Sequence, residues 1–238
     1  MSLRPYLLLC LCIALTGCSN LASRLTDGSR IGPFRSQFNC GGAPAEVLLE
    51  VRRVAILPTA PPEEPGAGAG MNAAQLVHRG LVEEIRSGVP FETVVPKTPL
   101  NRPLEGSPVP RTTDAIPPSL LQEVHRQTDA DAVLFSSVTA FQSYPPLLVG
   151  IKVTLVRVED GTILWQFDDT LNAGDGPTLN DARRFLRQKL GVETEPPPSP
   201  SMDSPTRFAR FAAFVVVRSL QQSCSPKPTS MPPAATTP

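Results

Sequence analysis

The sequence predicts an α/β (α+β) fold: a mixed sheet of about five strands with helices packed on it, in the order β-α-β-α-β-β-β-α plus a C-terminal helix. Two observations predict it. In the first half, short apolar β-branched runs alternate with stretches of helical periodicity, the pattern of strands joined through helices. In the second half, two segments of period-two alternation flank Asp160-Gly161, a strong hairpin dipeptide. The chain has 238 residues. An apolar N-terminal segment and several proline-rich stretches take part of it, leaving room for one domain of roughly 100 to 150 residues.

Residues 1–17 read MSLRPYLLLCLCIALTG: one cation at Arg4, an apolar run from Tyr6 to Leu15, then Thr16-Gly17 before Cys18. This is the pattern of a secretory signal peptide. The run is too short for a hydrocarbon core of about 30 Å, which needs roughly 20 residues of helix. Residues 18–45 are polar, contain Gly and Ser, and lack sustained periodicity, so they read as a tether.

The domain is expected over 46–192. Val51 to Pro58 (VRRVAILP) is the first strand, and PPEEPGAGAG a loop. Asn72 is placed to cap a helix from Ala73 to about Ser87, with Val77, Leu81 and Ile85 on one face and Gly88 ending it. Phe91 to Pro96 is the second strand, and Lys97 to Pro118 a long proline-rich loop. Ser119 to about Thr128 makes the next helix, with Leu120, Leu121 and Val124 inward. It leads into the strand Ala132 to Phe141 and the hairpin of GIKVTLVRV with TILWQF, three antiparallel strands in succession. Asp181 to Leu190 is an amphipathic helix. A proline-rich linker, 193–206, precedes a last helix, 207–223, whose Phe208, Phe211, Ala212 and Val215 line one face and are expected to dock on the domain. The tail, 224–238, has a disordered composition.

Lys plus Arg and Asp plus Glu are equal at 22 each, and no basic block is present to neutralise a phosphate backbone, which argues against nucleic acid as a partner. Beyond Cys10, Cys12 and Cys18, the chain has only Cys40 and Cys224. In an oxidising compartment they are candidates for a disulfide, which would close a long loop; the alternative is two free thiols.

Chemistry-bearing patterns are few. Gly68-Ala69-Gly70-Met71-Asn72-Ala73 matches a dinucleotide fingerprint, but about ten residues separate it from the preceding strand, whereas the glycines must follow the strand at once. Asp168, Asp169, Asn172, Asp175, Asn180 and Asp181 could gather oxygens around a cation, yet without the alternate-position ligands of a calcium loop. No metal site and no cofactor are expected. His78 and His125 sit on the polar sides of predicted helices, with no nucleophile motif nearby. No catalytic residue is assigned, no small-molecule substrate is evident, and the chain is not expected to be an enzyme. Trp165, alternating with Ile163 and Phe167, reads as core, with an interface anchor as the alternative.

Leu15-Thr16-Gly17-Cys18 resembles the lipobox of bacterial lipoproteins. The resemblance implies lipid on Cys18 after cleavage before it, with an ordinary cleaved signal as the alternative. Three acyl chains would hold the protein at a membrane almost permanently. Ser19 in place of Asp resembles lipoproteins sent to an outer membrane, which implies an envelope location facing the periplasm. Further in, RRVAILP (Arg52 to Pro58), TDADAVLFSSVTAF (Thr128 to Phe141) with IKVTLVRV, and VEDGTILWQF (Val158 to Phe167) resemble an α/β domain found in three groups. These are the penicillin-binding-protein activator lipoproteins, the curli-secretion channel lipoproteins and the amino-terminal domain of the Tol-system β-propeller protein. The likeness spans about Val51 to Leu190. Ser136-Ser137 stands where such domains often carry a glycine, and the loop Lys97 to Pro118 matches no channel-forming strand pair, which points to an adaptor rather than a pore subunit. The resemblance implies a non-catalytic module that binds or scaffolds an envelope protein; the alternative is a self-associating subunit of an envelope secretion or assembly complex.

Overall fold

The computed structural model describes residues 34–35, 37–63, 67–96, 116–191 and 203–225, with the backbone alone described at 67–70. The signal segment 1–17, Cys18, most of the proline-rich loop, most of the linker and most of the tail lie outside the described residues.

Six strands form one mixed sheet: β1 (Cys40–Gly42), β2 (Arg53–Ile56), β3 (Glu92–Val94), β4 (Ala132–Gln142), β5 (Leu148–Arg157) and β6 (Ile163–Asn172), in the spatial order β1-β6-β5-β4-β2-β3. Among the described residues the helices are α1 (Ala45–Leu49), α2 (Ala67–Gly88), α3 (Pro118–Thr128), α4 (Gly176–Leu190) and α5 (Pro205–Cys224). The three central strands are antiparallel, β4 to β5 to β6, while β2 runs parallel to both β4 and β3. The expected mixed sheet is therefore present, with one strand more than anticipated.

Period two divides the sheet into unlike faces. On one face Val54, Ile56, Leu134, Ile151, Val153, Leu155, Trp165 and Phe167 meet α2 and α5 in the main core. On the other, α3 covers only the β2–β4 side, where Leu121 and Val124 pack on Ala55, Val133, Phe135 and Val156. Beyond α3, Gln166, Asp168 and Thr170 of β6 are exposed. Ser136, facing the main core, is fully buried, and its hydroxyl lies 2.8 Å from that of buried Thr59, so each polar group satisfies the other.

The last helix docks on the domain as expected, and more deeply than an appendage would. α5 buries eleven residues, among them Phe208, Phe211, Val215 and Leu220. It runs alongside α2 in the same direction: Gly80 faces Arg210 and Ala213, and Gly88 faces Val217 and Gln221. A Cβ on Gly88 would lie 2.7 Å from a Val217 methyl, so these two glycines let the helix backbones approach.

Several boundaries differ from the sequence reading. The polar segment expected as a tether over 18–45 instead contributes an edge strand, because β1 pairs with β6 and Arg35 reaches Asp169. Among the described residues, Arg35 and Cys40–Gly42 thus already pack on the sheet, ahead of the expected domain start at 46. Asn72 does not cap α2, which begins at Ala67 and carries Gly68 and Gly70 inside it. α4 begins at Gly176, not Asp181, because Asp175 is the true cap: its carboxylate accepts from Thr178 N–H at 3.1 Å, and Pro177 fills the first turn. The hairpin turn is longer than its Asp160-Gly161 dipeptide. Five residues, 158–162, separate the strands, with Gly161 at φ 73° and a bulge between Leu155 and Val156.

Candidate functional site: a cleft at the end of the sheet

A cleft of about 1000 Å³ opens where β2 and β4 begin and β5 turns into β6. Four chain segments build it: α1 with the residues after it (Val47, Glu50, Val51), the first turns of α3, the pair Ala130-Asp131, and the turn from Arg157 to Gly161. Each is placed by a local reason. Pro117 and Pro118 start α3, where a missing N–H costs nothing. Asp129 ends it in the left-handed conformation at φ 53°, its N–H donating to His125 C=O at 2.7 Å. Asp residues tolerate that backbone because the short side chain finds local partners.

Asp131 locks the strand ends together. Its carboxylate accepts the backbone N–H groups of Arg52 and Arg53, each at 3.0 Å. Its own N–H donates to Arg53 C=O, and its C=O accepts from Val158 N–H, both at 2.9 Å. One residue thus joins β2, β4 and β5 at the cleft wall. Arg53 turns away to Glu92 and Asp129, and the two carboxylates push its pKa up.

Buried Val51, Leu121 and Ala130, with half-buried Val47, Ile116 and Val158, give the cleft its apolar surface. Around it stand four carboxylates, Glu50, Asp131, Glu159 and Asp160, against Arg157 as the one strong cation among the described lining residues. Asp160 is held below the usual carboxylate range because it accepts from Thr162 N–H at 2.9 Å. His125 lines the cleft with Nδ1 2.9 Å from Ala130 C=O, a contact that fixes its ring against the wall.

The other singled-out residues fall elsewhere. Trp165 is 0% exposed and stacked on Phe167 at 6.3 Å between centroids, so it lies in the core as its alternation suggests, and the alternative of an interface anchor is set aside because its ring has no solvent-facing side. Cys40 is exposed on β1 and Cys224 buried at the end of α5; both are free, and the disulfide considered between them is not formed in this structure. Burial pushes the Cys224 thiol up. The acidic run is dispersed. Asp168 pairs with Lys152, Asp169 with Arg35, Asp175 caps α4, and Asp181 accepts from Arg35 N–H at 3.0 Å. His78 is half-buried on α2, away from the cleft lining, with its pKa lowered by burial.

The cleft itself was not anticipated. Its segments are far apart in sequence, and the cues, Ala130-Asp131 and Asp160-Gly161, are ordinary signals of strands and turns.

No protein-family model matches the chain, and no curated protein matches it. Similar folds occur among solved structures. A dodecamer formed by a variant of PelC from Paraburkholderia phytofirmans is 16% identical, covering 58% of this chain and 82% of that one at a TM-score of 0.37. Lipoprotein GNA1162 from Neisseria meningitidis is 19% identical over 50% of this chain and 79% of that one, TM-score 0.32. The C-terminal domain of LpoB from Salmonella enterica is 15% identical over 53% and 90%, TM-score 0.32. At these identities and scores the likenesses assign no residue, ligand or partner to this chain.

Proposed function

We propose that the protein is a membrane-anchored lipoprotein of the cell envelope, held by lipid on Cys18, whose domain is a non-catalytic module that binds another protein through the cleft. The observation that carries this reading is the cleft's composition: apolar walls beneath four carboxylates and one strong cation. An apolar surface with a predominantly acidic rim suits a complementary protein segment, and the excess sign calls for lysine or arginine beside apolar side chains. The lipobox-like Leu15-Thr16-Gly17-Cys18 supports the anchor. Ser19 directly after Cys18 supports the periplasmic face of an outer membrane as the location.

In-cell photo-crosslinking tests the binding half. Gln122 is exposed and lines the cleft, whereas Gln166 is exposed on the open sheet face. A photoreactive residue at 122 is expected to give one discrete adduct with a second protein, weakened by Glu50→Lys with Glu159→Lys, while one at 166 gives none. A product containing two copies of this chain would replace the adaptor by a self-associating subunit. Equal, diffuse labelling from both positions would contradict the reading.

A further inference from the structure

Phe34, the first of the described residues after Cys18, lies beside a cluster of cations. The Arg184 guanidinium of α4 lies over the Phe34 ring, 3.3 Å from its centroid, and the Lys189 amine lies 5.9 Å from the centroid of Phe214 on α5. Arg184, Lys189 and Arg218 line one hollow of about 50 Å³, in which Asp181 is the single carboxylate among the described lining residues. Lys189 and Arg218 are exposed. Arg35, with both oxygens of Asp169 on it, contributes no free charge. The hollow therefore carries an excess of positive charge on a base of phenylalanine rings, a pairing of cation and apolar surface that suits the headgroup level of a membrane.

Position points the same way. Phe34 is sixteen positions after Cys18, and sixteen residues reach at most about 55 Å when fully extended. A lipid on Cys18 thus keeps this face within reach of a membrane surface at all times, so a weak attraction acts at high effective concentration.

We propose that the face formed by Arg184, Lys189 and Arg218 seats on anionic phospholipid headgroups of the membrane that holds Cys18. Anchor and patch then act as two membrane signals. The cleft shares no lining residue with this face and stays open to its partner. The inference rests on the anchor half of the proposed function, which intact mass of the purified protein tests separately.

Amine footprinting reads the contact directly. The lipidated full chain is placed in vesicles of phosphatidylcholine alone, or of phosphatidylcholine mixed with phosphatidylglycerol, and acetylation of Lys189 is followed by peptide mass against that of Lys152, on the opposite face of the sheet. With the anionic vesicles Lys189 should slow several-fold relative to Lys152. The protection should disappear at about 1 M salt, where the screening length is about 3 Å. Replacing Arg184→Gln with Arg218→Gln should reduce the docked-to-undocked ratio by about five-fold per cation removed. Three results would each overturn the inference for a protein shown to be acylated: equal Lys189 rates in both vesicles, equal slowing of Lys189 and Lys152, or slowing by soluble phosphate in phosphatidylcholine vesicles, the mark of a free-anion site. The vesicle and salt comparisons need no substitution, so a variant that folds poorly leaves the test intact.

Discussion

The Arg35 guanidinium meets both oxygens of the Asp169 carboxylate at 2.8 Å, across 134 positions of sequence. Arg35 N–H also reaches Asp181, its side chain donates to Thr170 C=O, and Asn39 N–H bonds Asp169. These contacts carry the chain onto the free edge of β6, where β1 completes the sheet. The relationship places residues ahead of the expected domain start at 46 on the sheet.

Arg35→Ala should loosen that edge selectively. Charge-assisted hydrogen bonds in a partly buried setting contribute about 1.5–3 kcal/mol, reduced here by solvent access, so a loss of about 1–2 kcal/mol is expected. Hydrogen exchange at Cys40–Gly42 should accelerate while β4 and β5 keep their protection. Uniform acceleration across the sheet would show that β1 is not a separable edge.

Asp131→Ala should cost about 1–2 kcal/mol, because two backbone N–H groups lose a charged acceptor. Asp131→Asn should cost less, since one amide oxygen still accepts. Urea midpoints of the two variants check the order, and equal losses would mean that the clamp acts through charge rather than through hydrogen bonds.

The seam between α2 and α5 should be intolerant of bulk. A Cβ added at Gly80 would lie 3.1 Å from that of Ala213, so Gly80→Leu must force the helices apart. Overpacking of this kind costs typically about 1–3 kcal/mol. Ending the chain after Ser204 should be far worse. Each large α5 side chain that loses its burial forfeits about 1.5–3 kcal/mol, which together match the whole stability of an ordinary domain of roughly 5–15 kcal/mol. Thermal melts followed by near-ultraviolet circular dichroism distinguish the two, the first shifted and the second without a transition.

His78 should add an acid-side pH dependence. Burial lowers its pKa below the ordinary 6.5, so the unfolded chain takes up the proton first as pH falls. Its contribution to stability is present above about pH 6.5 and is lost as pH drops through the folded-state value. His78→Leu should flatten the change in urea midpoint between about pH 7.5 and pH 5. An unchanged slope would assign that dependence to carboxylates.

Much of the sheet was legible because its strands carry their own pattern. β4, β5 and β6 alternate or run apolar over ten or eleven residues, and α3 begins at Pro118, one position before the expected Ser119. Trp165 and the inward face of α5 were also readable from periodicity. β1 was not: Cys-Gly-Gly has no hydrophobic period, and its pairing is supplied by backbone bonds and by Arg35 reaching a distant Asp169. The start of α4 was written in Asp175 and Pro177, but the acidic run around them competed as a cation site. The cleft needed three dimensions, since Glu50, Leu121, Asp131 and Asp160 share nothing in sequence but the end of one sheet.

The most direct test of the central claim is intact mass of the protein purified from its native membrane, with Cys18→Ala beside it. A chain beginning at Cys18 and carrying acyl groups, with those groups absent from the variant, is the predicted result. An unacylated chain of the same membrane fraction would contradict the anchored module and, with it, the headgroup contact of Arg184, Lys189 and Arg218.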